Sequence, residues 1–241
     1  PYRIREVSDI IDEYSVYRNI SLDDCDYSDA GDVILPLGNV AASLQRIEAV
    51  AESFLSRRKR LFSLGGEHLV SLPLIKAYNR FYPDLAVVHL DAHADLRHDY
   101  LGEQYSHASV MRRVVEILGK DRLYQLGIRT AAEEELAFAR ENTCLYIDQV
   151  LGKIHEVIER LGTRPVYFSL DIDVLDPAFA PGTGTPEGAG ISSRELLQAM
   201  HQLADLNIVG FDLVEVAPPY DSGDSTSILA AKLLREALLS Y

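Results

Sequence analysis

The sequence predicts an α/β fold, a parallel sheet with helices covering both faces. Three observations predict it. Short apolar runs of β type recur along the chain, longer segments with helical spacing separate them, and the 241 residues contain neither an internal repeat nor a linker. A chain of that length builds one substantial core, so a single domain over residues 1–241 is expected.

Taken in order, the expected strands are DVILPL (32–37), RLFSL (60–64), LAVVHL (85–90), RLYQLG (122–127), CLYI (144–147), PVYFSL (165–170) and LNIVGFDLV (206–214). Their apolar character is nearly continuous, the mark of strands buried on both faces. Helices fill the intervals. In ISSRELLQAMHQLADL, Leu196, Leu197, Met200, Leu203 and Ala204 fall on one face, and Ser192 with Glu195 forms an S-x-x-E capping box that starts the helix. Sheets of this kind bind ligands beyond the carboxyl ends of their strands, which says where chemistry belongs before any motif is considered.

Composition excludes several classes of function. Apolar residues make up 47% of the chain, which argues against disorder. No apolar run approaches the ~20 residues of a membrane helix. A net charge of −14 disfavours a nucleic-acid partner and is compatible with a cationic ligand. Cys25 and Cys144 lie far apart and outside any C-x-x-C pattern, which suits a reducing cytoplasm and excludes a thiolate zinc cluster. No signal peptide is visible, and a chain that begins at Pro1 is expected to be incomplete at its amino terminus.

Four strand ends carry polar clusters: GGEH (65–68), DAHAD (91–95), DIDVLDP (171–177) and VEVAPP (214–219). Each alone has a structural reading. Gly65 and Gly66 suit a turn, His68 a helix entry, Asp91 and Asp95 caps, and Asp171, Asp173 and Asp176 turns before Pro177. His89, inside its strand, reads as a hydrogen-bonded core residue rather than a ligand. Together, Asp91, Asp95, Asp171 and Asp173 place four carboxylates at neighbouring strand ends, where like charges raise one another's pKa unless cations offset them. A pair of divalent ions with His68 and His93 as nitrogen ligands is the simplest compensation, and carboxylate-rich sites with a few imidazoles suit Mn²⁺, with other first-row metals left open by ligand softness. Two metals about 3.5–4 Å apart activate a water between them and orient a substrate.

These residues resemble those of the ureohydrolases (arginase, agmatinase and relatives), and most closely the agmatinases. The stretches that carry the resemblance are SLGGEH, HLDAHADLR, YSHASVMRR, SLDIDVLDPAFAPGTGTPE and GFDLVEVAPPYD, spanning residues 63–221. The resemblance implies a three-layer α/β/α domain with a mainly parallel, arginase-like sheet and two Mn²⁺ per chain. By motif position, His68 and Asp95 would bind one ion, His93 and Asp173 the other, and Asp91 and Asp171 both. His107 in YSHAS matches the catalytic histidine that shuttles protons at the mouth of the site. Its other reading is a cap for the helix ASVMRRVVEIL. Glu215 matches the acid that holds the substrate guanidinium, and the turn GTGTP (182–186) would shape the pocket wall.

The implied reaction is attack of a metal-bridging hydroxide on the guanidinium carbon, with Asp95 relaying a proton to the departing amine. In the loop LRHDYLGEQYSHAS, Arg97 stands where arginases have Asn, and no S-x-N precedes His107. That loop resembles agmatinases, so agmatine, giving putrescine and urea as in polyamine biosynthesis, is the expected substrate. Guanidinobutyrate, aminopropylagmatine and arginine are the alternatives. The family's sheet has one strand more than the seven expected here, so its first strand is expected to be absent. By resemblance the chain forms a trimer or hexamer. A deacetylase of related fold would bind one zinc instead of two metals. A non-catalytic homologue is a third reading, and the complete ligand set with His107 and Glu215 stands against it.

Overall fold

The computed structural model describes all residues, Pro1–Tyr241. The chain opens with helix α1 (Tyr2–Ser8) and a small antiparallel pair, β1 (Tyr14–Ser15) and β2 (Ile20–Ser21), before helix α2 (Val40–Leu55). Six strands then build the central sheet: β3 (Phe62–Leu64), β4 (Ala86–Leu90), β5 (Leu123–Ile128), β6 (Cys144–Ile147), β7 (Pro165–Asp171) and β8 (Asn207–Val214). Their order is β3-β8-β7-β4-β5-β6, and every pairing is parallel. All six fall within the runs read from the sequence, give or take a residue at an end.

The seventh expected strand does not form. Residues 32–37 are irregular, with Ile34 81% and Leu37 fully exposed, and they pair with nothing in the sheet. The physical reasons are local. Gly31 and Gly38 turn the backbone at both ends with φ of 79° and 65°, and Pro36 removes a ladder donor. The segment's carbonyl at Ile34 accepts instead from Arg46 Nη1 at 2.6 Å. The sheet therefore has six strands, with β3 at one edge and β6 at the other.

Two helical layers cover it. On one face α1, α6 (Leu151–Leu161), α7 (Ser193–Leu203) and α8 (Ser225–Ser240) pack on Ala86, Val88, Leu90, Phe168, Leu170, Phe211 and Leu213. On the other, α2, α3 (Ser71–Phe81), α4 (Val110–Leu118) and α5 (Glu133–Asn142) pack on Leu85, Val87, Leu123, Tyr167 and Val209. Strand alternation assigns the faces, since residues two apart share one. The capping box at α7 forms as the sequence requires: Glu195 N donates to Ser192 Oγ at 3.2 Å, and Ser192 N to Glu195 Oε2 at 2.8 Å. No helix is long and apolar enough to cross a membrane.

The same alternation sets a polar row into the second face. Gln125, His89, Ser169 and Asp212 are register neighbours across β5, β4, β7 and β8, all fully buried. They form a level of hydrogen-bonding groups just beneath the carboxyl ends of the strands.

Candidate metal centre

Strands β3, β8, β7 and β4 are contiguous, so their carboxyl ends bring the four polar clusters to one half of the sheet edge. Gly65 permits the closest approach. A Cβ there would lie 2.7 Å from Val70 Cγ2 and 2.8 Å from Val214 Cγ1, so only glycine lets the end of β3 settle on β8. The chain then turns into a single helical turn at His68–Val70 and delivers the imidazole over the ends of β7 and β4.

The six expected ligands meet there. His68 Nδ1 lies 3.2 Å from Asp91 Oδ2, 3.2 Å from Asp95 Oδ2 and 3.1 Å from Asp171 Oδ2. His93 Nδ1 lies 3.0 Å from Asp173 Oδ2 and 3.5 Å from Asp91 Oδ1. Asp91 thus faces His68 with one oxygen and His93 with the other, and its side chain joins two ligand sets into one centre. Backbone amides hold the carboxylates in place. His93 N donates to Asp91 Oδ1 at 2.5 Å, Asp173 N to Asp171 Oδ1 at 2.8 Å, and Ala92 N to Asp173 Oδ1 at 3.1 Å.

The donor set fits divalent cations. His68 Nδ1 is buried without a hydrogen-bond partner, although three carboxylate oxygens surround it. Burial penalises each charge, and the carboxylates repel one another. Burial and neighbouring Asp91 push Asp95 up to about 7. Asp171 rises well above the usual range through burial and the charges of Asp173 and Asp91, and Asp173 rises through burial and Asp91. Asp91 moves the other way. Burial would raise it, but His89, His68 and His93 hold it well below the ordinary value. For His93 burial works downward, yet Asp173 and Asp91 carry it up to about 11. For His68 burial again works downward, and Asp171, Asp91 and Asp95 outweigh it. A cluster that borrows protons on its histidines to balance its acids is short of positive charge, which metal ions would supply.

Glu215 and His107 stand beside this cluster rather than in it. Glu215 Oε1 accepts from His68 N at 2.7 Å, which ties the end of β8 to the ligand loop after β3. Burial raises its carboxyl. Its other oxygen faces Gly184 of the GTGTP turn, where even a Cβ would come no nearer than 3.7 Å. That turn is anchored by Gly182 N donating to Thr226 Oγ1 at 2.9 Å and reaches the cluster through Thr185 Oγ1, 3.4 Å from Asp173 Oδ2. His107 is 41% exposed at the mouth. It sits 3.4 Å from Glu67 Oε1, and its ring stands edge-on to Tyr100. The Glu67 carboxylate raises its pKa against the opposing effect of burial.

Sequence reasoning missed three contributors. Arg129 donates to the carbonyls of Asp173 and Glu187 at 2.8 Å and of Gly188 at 3.0 Å, with longer contacts to those of Gly127, Val174 and Leu175, and so fixes the loop that carries Asp173. Nothing in a lone arginine after a strand signals that role. Glu67 is missed because its partner His107 is forty residues away in sequence. Gln125 is missed because an amide inside an apolar strand carries no motif. His89 is buried, as expected, but it also touches Asp91, with Nε2 2.7 Å from Asp91 Oδ2.

The chain is similar to known proteins along its whole length. The model of the arginase family matches residues 1–240. The agmatinase of Bacillus subtilis is 49% identical over 245 residues, spanning all of this chain and 84% of that protein. The agmatinase of Halalkalibacterium halodurans is 47% identical over 244 residues with the same coverage. The crystal structure of the agmatine ureohydrolase of Thermoplasma volcanium superposes with a TM-score of 0.89 at 34% identity, covering 100% of this chain and 82% of that one.

Proposed function

The chain belongs to the arginase family, and from that premise we propose that it hydrolyses agmatine to putrescine and urea at a centre holding two Mn²⁺. The observation that carries the reading is the pair of ligand sets joined through Asp91, with the Glu215 carboxylate beside them. Two sets rather than one weigh against a single-zinc deacetylase. The agmatinases at 47–49% identity support the choice of substrate. His68 and Asp95 would hold one ion, His93 and Asp173 the other, with Asp91 and Asp171 shared.

Bound there, the ions supply a water that ionises near neutral pH and electrostatic stabilisation of charge developing on the substrate. The chain's own groups do the rest. Glu215 presents Oε2 to the planar guanidinium, a charge-assisted contact that orients the carbon for attack. Asp95 takes the proton that the attacking water loses and passes it to the nitrogen of the breaking C–N bond, so urea and a primary amine leave. His107, half exposed and paired with Glu67, exchanges protons between this centre and solvent. The proposal includes a cytoplasmic homo-oligomer, trimeric or hexameric.

The test is a substrate panel of agmatine, arginine, guanidinobutyrate and aminopropylagmatine with Mn²⁺, read as urea released, alongside Asp91→Ala. Agmatine is expected to lead, and Asp91→Ala to lose both bound manganese and urea release. Preference for arginine would overturn the substrate, and undiminished manganese and activity in Asp91→Ala would overturn the centre.

A further inference from the structure

Resting on the reading of Glu215 as the acid that holds the guanidinium, we infer that Gly184 is a specificity residue: its missing side chain leaves open the slot, opposite Glu215 Oε2, into which the planar head of the substrate fits. The placement follows from pairing. The turn GTGTP runs antiparallel to the segment after β8, with Thr183 bridged to Val216 and Ala217 N donating to the Gly182 carbonyl at 2.8 Å. Antiparallel register then sets Gly184 opposite Glu215, and side chains of a directly opposed pair stand close enough to touch. Glu215 uses Oε1 to accept from His68 N at 2.7 Å, and Oε2 has no hydrogen-bond partner in the chain. The free oxygen of the acid therefore faces the one residue type that puts no atom in front of it.

The fold does not require glycine at this position. Gly182, in the same turn, shows the opposite case: a Cβ there would lie 2.5 Å from Asp221 Cβ and 2.9 Å from Thr226 Oγ1, so packing forbids it. At Gly184 the backbone is outside the left-handed region, and a Cβ would meet a single atom within 4 Å, Glu215 Oε2 at 3.7 Å. That is an ordinary contact, so alanine fits the unliganded protein without strain. Glycine also loses more conformational freedom on folding than alanine does, so stability alone favours alanine. A ligand reverses the preference. An N–H donor must come within about 2.7–3.2 Å of Oε2, and a planar cation brings its carbon and flanking nitrogens into the space that a methyl would take. Gly184 is exposed, so this space opens to the mouth of the site.

The experiment compares the whole Mn²⁺-loaded chain as wild type, Gly184→Ala and Gly184→Val. It reads kcat and KM for agmatine, inhibition by guanidinium ion (a head without a tail), bound manganese and melting temperature. Gly184→Ala is expected to keep its manganese and to melt no lower than wild type. Its kcat/KM should fall about 10–200-fold, the usual effect of one misplaced carbon in a binding pocket. Guanidinium inhibition should weaken in step, and Gly184→Val should lose more of both. Unchanged kcat/KM and inhibition in Gly184→Ala, beside an active wild type, overturn the inference and leave the role of Glu215 standing. A fall for agmatine with guanidinium inhibition unmoved places the effect on the tail and overturns the slot. Lost manganese or a lower melting temperature in Gly184→Ala makes the glycine structural, which overturns it too. Wild type that releases urea from no guanidino compound sinks the proposed function itself, and the inference with it.

Discussion

Asp95 and Glu215 hold φ of 56° and 64°, a conformation that residues other than glycine adopt at a cost of about 1–3 kcal/mol each. Both side chains are needed where that backbone aims them, Asp95 at His68 and Glu215 between the loop after β3 and the GTGTP turn. Glu215→Gln keeps the shape and can still accept from His68 N, but it removes the charge meant for the guanidinium. Loss of one partner from a desolvated charged pair costs about 2 kcal/mol or more, so kcat/KM for agmatine should fall at least ~30-fold in steady-state assays while bound metal is unchanged. His107 offers a second test. Glu67 raises its pKa, so Glu67→Gln should lower it, and the limb of the pH–rate profile that reports His107 should move to lower pH. An unmoved profile would show that this pair does not govern the proton step. All six proposed ligands were legible in the sequence because three short motifs, GGEH, DAHAD and DIDVLDP, place acids and histidines at strand ends. The φ angles and the partnership of Glu67 with His107 were not, because they depend on how distant segments meet.

At the scale of elements, the loop after β7 depends on one side chain from the end of β5. Arg129 satisfies the carbonyls of Asp173, Glu187 and Gly188, none of which has a strand or helix to pair with. Arg129→Ala should cost about 1–3 kcal/mol in urea denaturation, since partly buried carbonyls lose a charged donor. Bound manganese should also drop from two per chain toward one, because Asp173 sits on that loop. Metal analysis showing two ions retained would place the arginine's role in stability alone. The six sheet strands were readable because burial on both faces writes a continuous apolar run. DVILPL carries the same signal, yet two flanking glycines and an internal proline overrule it. Local backbone chemistry decided there, and apolar content did not.

For the molecule as a whole, the parallel sheet and its two helical layers follow from the alternation of apolar runs and helical segments. Which strands would lie side by side did not follow, because the order β3-β8-β7-β4 is set by long crossovers rather than by local sequence. A centre that binds cations only when folded should raise thermal stability with metal. One site at a hundred times its dissociation constant adds about 2.7 kcal/mol, roughly 5–10 °C for a chain of this size. Calorimetry with Mn²⁺ against a chelator reads this directly, and coincident transitions would count against the metal centre. The hydrogen bond from His68 N to Glu215 joins residues 147 positions apart. Contacts of that separation form late, after the entropy of closing long loops has been overcome. The six proposed ligands run from His68 to Asp173, on the ends of three different strands, so a cation meets its full set of donors only once β3, β4 and β7 lie together in the sheet. It recognises the finished topology, and its binding is a report that folding is over.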